Sequence, residues 1–207
     1  MVVEINFNTL VKKLKDKNVY MISGNGTKNQ FRDMRKVKGL ITKILCRIEK
    51  NSVFLYFGDA VNKKKPDVGV LFQIIKEKRP DIIIHMIQID YAKSWGVSSF
   101  VDSVYWHNDY LAKHPKCKWG GLLNGKPCSN TKKWVSLHKR LKNGITKIFM
   151  LGGGEITLDD HTLIKKYNIP FEYYPVERRY KGDGKTKIKD SDSKKVRVGI
   201  TYHLAKE

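Results

Sequence analysis

Cysteine is scarce in this chain of 207 residues: Cys46, Cys117 and Cys128 are an odd set without a paired C-x-x-C spacing. That excludes a disulfide-stapled scaffold and a cysteine-based zinc site, and a reducing, intracellular and cytoplasmic compartment is the expectation. No H-E-x-x-H or Cys/His grouping occurs either, so no bound metal is expected and no cofactor is implied. No window approaches about 18 unbroken apolar residues, which leaves no candidate membrane span. The opening MVVEINFNTL has no basic segment followed by an apolar one, so a secretory leader is not expected. Arginine is also sparse, at 8 of the 41 basic residues. Arginine is the better bidentate reader of phosphate and guanine. A lysine surplus of this kind fits the drift of an AT-rich genome as well as a functional surface.

What is present is charge of one sign. The formal net charge is +21, and it is unevenly placed. Residues 51–110 balance at 7 basic and 7 acidic, whereas 111–147 holds 10 basic side chains and no acid. Compositional drift accounts for the total less awkwardly than for that acid-free block. A field of this sign attracts nucleotides, nucleic acid or another polyanion. Within the block, Lys126, Lys132, Lys133, Lys139 and Arg140 are interleaved with Trp119 and Trp134, a pattern that suits a nucleic acid or polyphosphate. The bland alternative is a solvated face on an insertion.

Along the chain, apolar spacing predicts helices over 6–17 (capped by Asn6 or Asn8), 29–49, from Pro66 to about 78, 130–142 and 159–166. Strands are predicted at 18–22, 53–57, 82–89, 101–107, 145–151, 171–174 and 196–203. Strand and helix alternate, which is the signature of an α/β protein: a mostly parallel, Rossmann-like sheet with helices on both faces and a late C-terminal edge strand. The expected organisation is one α/β domain over 1–180 with a long irregular insertion at 91–128. A flexible polar loop follows at 181–195, and the last strand, within 196–207, belongs to the same domain. A homodimer is left open.

In such sheets ligands bind beyond the carboxyl ends of the strands. Four predicted strand ends carry glycine, a carboxylate or both. The first is Ser23-Gly24-Asn25-Gly26-Thr27, a small-residue loop before a long helix. It lacks the G-x-G-x-x-G and Walker spacings, so it is either a one-phosphate loop or simply a turn. Asp59 and Asp90 end the next two strands. Carboxylates there accept ribose hydroxyls or act as acid/base groups, and equally serve as turn or cap residues. The fourth is Gly152-Gly153-Gly154-Glu155, where an apolar strand runs into three glycines and a helix start. Glycine lets a ligand approach the backbone, and a helix start favours an anion. Thr157, Asp159 or Asp160 can cap that helix, and Glu155 is the leading catalytic candidate, backed by Asp160, Asp59 and Asp90. Trp106 and His107, in the aromatic run Tyr105 to Tyr110, can stack on a base and move a proton, or form an ordinary core cluster. His85, inside an apolar strand, reads as a satisfied core histidine.

The segment Gly153-Gly154-Glu155-Ile156-Thr157-Leu158-Asp159-Asp160 resembles the glycine loop of the LOG-like (SLOG) superfamily, Rossmann-like proteins that include nucleotide phosphoribohydrolases. Their hallmark is a strand followed by P-G-G-x-G-T-x-x-E. Two glycines and the threonine match, Ile156 replaces the last glycine, Asp160 stands at the glutamate and Gly152 replaces the proline. The family's arginine pair before the glycine strand has no counterpart in 140–150. The resemblance covers this loop and the general strand order. It implies a nucleotide or sugar phosphate as ligand and cleavage or transfer of an N-glycosidic bond. The alternative expectation is a nucleic-acid-binding protein that uses 111–147, of a virion or DNA-associated kind.

Overall fold

The computed structural model describes residues 2–24, 31–57, 69–107, 122–123, 126–127, 129–152 and 155–176. Its strands are β1 (Val3–Glu4), β2 (Val19–Gly24), β3 (Val53–Tyr56), β4 (Ile83–Ile89), β5 (Ser103–His107), β6 (Leu122–Leu123), β7 (Lys126–Pro127), β8 (Lys147–Leu151) and β9 (Phe171–Tyr174). Its helices are α1 (Phe7–Leu14), α2 (Met34–Leu45), α3 (Val70–Lys78), α4 (Ser129–Arg140) and α5 (Glu155–Lys166). Seven strands form one sheet in the order β1-β5-β4-β3-β2-β8-β9, and every neighbouring pair is parallel. The two-residue strands β6 and β7 form a separate antiparallel pair. The chain is thus a Rossmann-like α/β protein. The expected final strand at 196–203 lies outside the described residues. Among the described residues the edges of the sheet are β1, which the sequence pattern did not reveal, and β9.

Side-chain alternation along the strands divides the core into two layers. On one face Tyr20, Phe54, Tyr56, Ile84, Met86, Val104, Phe149 and Leu151 pack with α2 and α3. On the other, Val19, Met21, Val53, Leu55, Ile87, Ile148 and Met150 pack with α1, α4 and α5. Burial on both faces is why β3 and β8 read as continuous apolar runs rather than alternating ones. The helices follow the same logic. Leu10 and Leu14 of α1 are one turn apart and buried, as are Val37, Ile41, Ile44 and Leu45 of α2. Asn6 caps α1 by accepting from the Thr9 N–H at 2.9 Å, and Asp33 caps α2 by accepting from the N–H groups of Arg35 and Lys36. The Asp33 cap starts α2 later than the predicted position 29. Gly69, in the left-handed region at φ 73°, immediately precedes α3, so the helix starts at Val70; the expected opening at Pro66 lies outside the described residues.

Two histidines, His85 buried and His138 half-buried, tie neighbouring segments together. His85 on β4 shares a 2.7 Å hydrogen bond with Ser103 on β5 and is 3 % exposed, as expected of a satisfied core histidine. Burial, followed by the positive charge of Lys13, pushes its pKa down to about 4. The unfolded chain therefore binds a proton between its ordinary value of 6.5 and about 4 that the folded chain does not. Stability is full above pH 6.5 and falls as the pH drops toward 4, by about 3 kcal/mol in all. Urea titrations between pH 7 and 4 should show this loss, and His85→Gln should flatten it; an unchanged slope in the variant would contradict the assignment.

His138 on α4 accepts a hydrogen bond from the Ile145 N–H at 2.8 Å, and burial pushes its pKa down. Its ring lies against Gly144, which sits at φ +65° and where an added Cβ would come within 2.5 Å of the ring. Gly144→Ala should destabilise by about 2 kcal/mol, since left-handed strain alone costs about 1–2. In combination with His138→Ala the costs should be less than additive, measured by chemical denaturation, because the clash is shared.

Candidate functional site

The strand order reverses once between hydrogen-bonded neighbours. From β2 the chain builds outward through β3 and β4 to β5, then returns to place β8 on the other side of β2. At such a reversal the loops leaving two adjacent strands depart toward opposite faces, and the gap between them is the crevice where open α/β sheets hold ligands. Here the two strands are β2, which ends Ser23-Gly24, and β8, which ends Met150-Leu151 and is followed by Gly152. They are in direct register, Ser23 against Met150 and Gly24 against Leu151. Gly152 is buried, takes φ 61°, and donates its N–H to the Tyr174 carbonyl at 2.9 Å. This left-handed turn ends β8, and α5 begins at Glu155, three residues later.

That early start corrects the expected cap. Thr157, Asp159 and Asp160 lie inside α5, not before it. Asp160 instead faces β2, where the Ser23 hydroxyl donates to its Oδ2 at 2.9 Å in a partly buried position. This bond joins residues 137 apart in sequence and straddles the reversal. Glu155 and Thr157 occupy the first turn of α5, whose leading N–H groups have no acceptor within the helix. Ser23, Gly24, Gly152, Glu155, Thr157 and Asp160 are therefore gathered at one place. Asn25, Gly26, Thr27, Asp59, Gly153 and Gly154 lie outside the described residues.

Other candidates lie at the same edge but not at the same site. Asp90 follows β4, two strand positions from β2, and Trp106 and His107 end β5, three positions away. At about 4.8 Å per strand these are roughly 10 and 14 Å from β2. Asp90 pairs with Lys93 at 3.2 Å, and Lys93 also pairs with Glu4 at 3.2 Å and stands 5.9 Å over the Trp106 ring. The bonds to Glu4 and then Asp90 raise the Lys93 pKa. The face of Trp106 is thus shared with a cation of this chain. His107 lies 3.5 Å from the Tyr105 hydroxyl. Lys93 was not singled out in the sequence, although its i,i+3 spacing from Asp90 was there to be read.

The basic segment is also spoken for in part. Arg140 stacks 4.8 Å over Phe7 and donates to Asn8 at 3.2 Å, while Lys139 stands 4.9 Å over Tyr167. Lys132 and Lys133 belong to α4 and Lys126 to β7. A different cluster fixes the outer strands: Glu172 on β9 receives both terminal nitrogens of Arg47 at 3.2 and 2.9 Å and Lys147 Nζ at 2.6 Å. Arg47 first, then Lys147 and Tyr174, hold the Glu172 pKa down to about 2. Every partner there is an internal one, which marks a clamp rather than a reaction centre.

A cavity of about 500 Å³ lies at the opposite edge of the sheet, lined by Ile48, Lys50, Asn51, Arg79 and Asp81. Arg79 there spends its donors on Asp81, at 2.8 and 2.7 Å, and on the carbonyls of Leu45 and Ile48. It sits before the strands start, away from the edge where such sheets do chemistry. No group of three or more metal-ligating side chains occurs among the described residues, and no helix among them is long and apolar enough to cross a membrane. No protein-family model matches this chain, and none of the curated proteins matches it.

The contact across the reversal can be measured in the ligand-free protein. A double-mutant cycle with Ser23→Ala and Asp160→Ala should give a coupling energy of about 1–2 kcal/mol by urea denaturation. Additive effects of the two substitutions would mean that the bond is not made.

Proposed function

We propose that this protein binds a nucleotide, or another phosphorylated ligand containing ribose, in the crevice between β2 and β8. The observation that carries the reading is the reversal of strand order between β2 and β8, with Gly24 ending β2, Gly152 following β8 and the Ser23–Asp160 bond spanning them. Glycine at the end of β2 leaves the backbone there open to close approach. The first turn of α5 presents N–H groups that have no acceptor within the helix, and the positive end of a helix dipole, to a phosphate. The excess of basic residues over acidic ones, 41 to 20, raises the local concentration of any anionic ligand. The reaction we attach to the site is cleavage or transfer of an N-glycosidic bond, with Glu155 and Asp160 as its carboxylates. That step rests on the resemblance of 153–160 to the LOG-like glycine loop, in which Asp160 stands at the glutamate position.

A second reading, nucleic-acid binding through 111–147, draws on the acid-free run of basic residues in the sequence. Two of its named residues, Lys139 and Arg140, already rest on aromatic rings of the same chain, which leaves the reversal as the stronger feature. Thermal denaturation separates the two. A nucleoside monophosphate at about 100 times its dissociation constant should stabilise the protein by about 2.7 kcal/mol, a shift of roughly 5–10 °C for a chain of this size. No shift with any nucleotide, together with oligonucleotide binding that weakens steeply with salt, would transfer the function to the basic segment.

A further inference from the structure

Ser23 is placed by the sheet, not by a loop. Its backbone lies in the ladder opposite Met150, and three residues of the same strand, Val19 to Met21, are paired on the other side with β3. Its hydroxyl therefore has a fixed origin and a fixed direction, toward Asp160 Oδ2 at 2.9 Å. A hydroxyl owns one proton and two lone pairs. With the proton committed to a carboxylate, Ser23 Oγ can meet a ligand only as an acceptor. An acceptor makes no hydrogen bond to the oxygens of a phosphate, which bring negative charge and no proton. It attracts a group that brings a proton, and on a nucleotide sugar that group is a hydroxyl.

We propose that the Ser23–Asp160 pair is the sugar subsite of the crevice: Ser23 Oγ accepts a hydrogen bond from a ribose 2′- or 3′-hydroxyl, and the phosphate is held elsewhere. This rests on the nucleotide reading above and adds to it the selection of ribose over deoxyribose. Asp160 is a positioning residue in this scheme, because it fixes the polarity of Ser23. Replacing it by an amide, which carries both a donor and an acceptor, leaves the polarity of Ser23 unfixed.

The test is titration calorimetry with the four ribonucleoside monophosphates and their 2′-deoxy and 3′-deoxy counterparts. The natural protein should bind one deoxy series about 10-fold more weakly than the ribo series, the factor expected for one hydrogen bond. Asp160→Asn should lower that ratio by weakening the ribo series. Ser23→Ala should do the same, and it serves as the readout should the first variant fail to unfold cooperatively. Equal binding of ribo and both deoxy series by the natural protein would overturn the subsite and leave the nucleotide reading standing. A ratio that survives both substitutions would also overturn it. Absence of binding by every nucleotide would overturn the subsite and the nucleotide reading together.

Discussion

Hydrogen bonding on both sides of β2 is the constraint on which the remainder depends. The strand is laddered to β3 along one edge and to β8 along the other. Tyr20 and Met21 are paired on both sides, and Ser23 and Gly24 on the β8 side. The edge beyond β5 is occupied by β1, through the pairs Val3 to Ser103 and Glu4 to Val104. A chain leaving β5 thus finds no open position next to it and must return across the sheet to the far side of β2. That return creates the reversal, and the reversal creates the crevice. The Ser23–Asp160 bond then ties the first turns of α5 to a strand with a neighbour on each side.

Packing explains why the two halves of the reversal stay in register. Tyr20 stacks on Phe149 at 5.8 Å and leans on Phe54 at 5.6 Å, so β2, β8 and β3 are joined by aromatic contacts on the face that carries α2. Aromatic pairs of this kind are worth about 0.5–1.5 kcal/mol beyond the area they bury. Outside them, the Arg47–Glu172–Lys147 clamp links the end of α2 to β8 and β9. Glu172 is partly exposed, so its contribution is modest and is felt chiefly in strong acid.

Much of this architecture was legible in the residues. Val53 to Phe57, Ile82 to Ile89 and Phe171 to Tyr174 announce strands because β-branched and aromatic residues run together between turn signals. Asn6 announces α1 because a side-chain oxygen one residue ahead of an amphipathic run is a cap. The edge strand β1 was not legible, since two residues carry no periodicity. The start of α5 differs from the expectation because Asp159 and Asp160 are good caps by composition. The left-handed Gly152 instead turns the chain soon enough for the helix to begin at Glu155. At the site, the strand-end rule located the edge but could not supply lateral order. Asp90, Trp106 and His107 share the edge with Ser23 and Gly152, and only the hydrogen-bonded ladders set them two and three strands away. The Ser23–Asp160 contact had no sequence signal, since a pair 137 apart is visible only when β2 and β8 are known to be neighbours.

The basic charge, which dominates the composition, plays a smaller part in the described structure than its size suggests. Lys93, Lys139, Lys147, Arg47, Arg79 and Arg140 each lie against a carboxylate, a carbonyl or an aromatic ring of the chain itself. Such cations cover apolar surface and close turns before they meet any partner.

The central claim, that an anionic ribose-containing ligand occupies the crevice between β2 and β8, is tested most directly by amide hydrogen exchange with and without a saturating nucleoside monophosphate. The account predicts slowed exchange confined to residues 22–24 and 151–160, with no change at 90–107. Protection concentrated in 126–140, or none at the ends of β2 and β8, would contradict it.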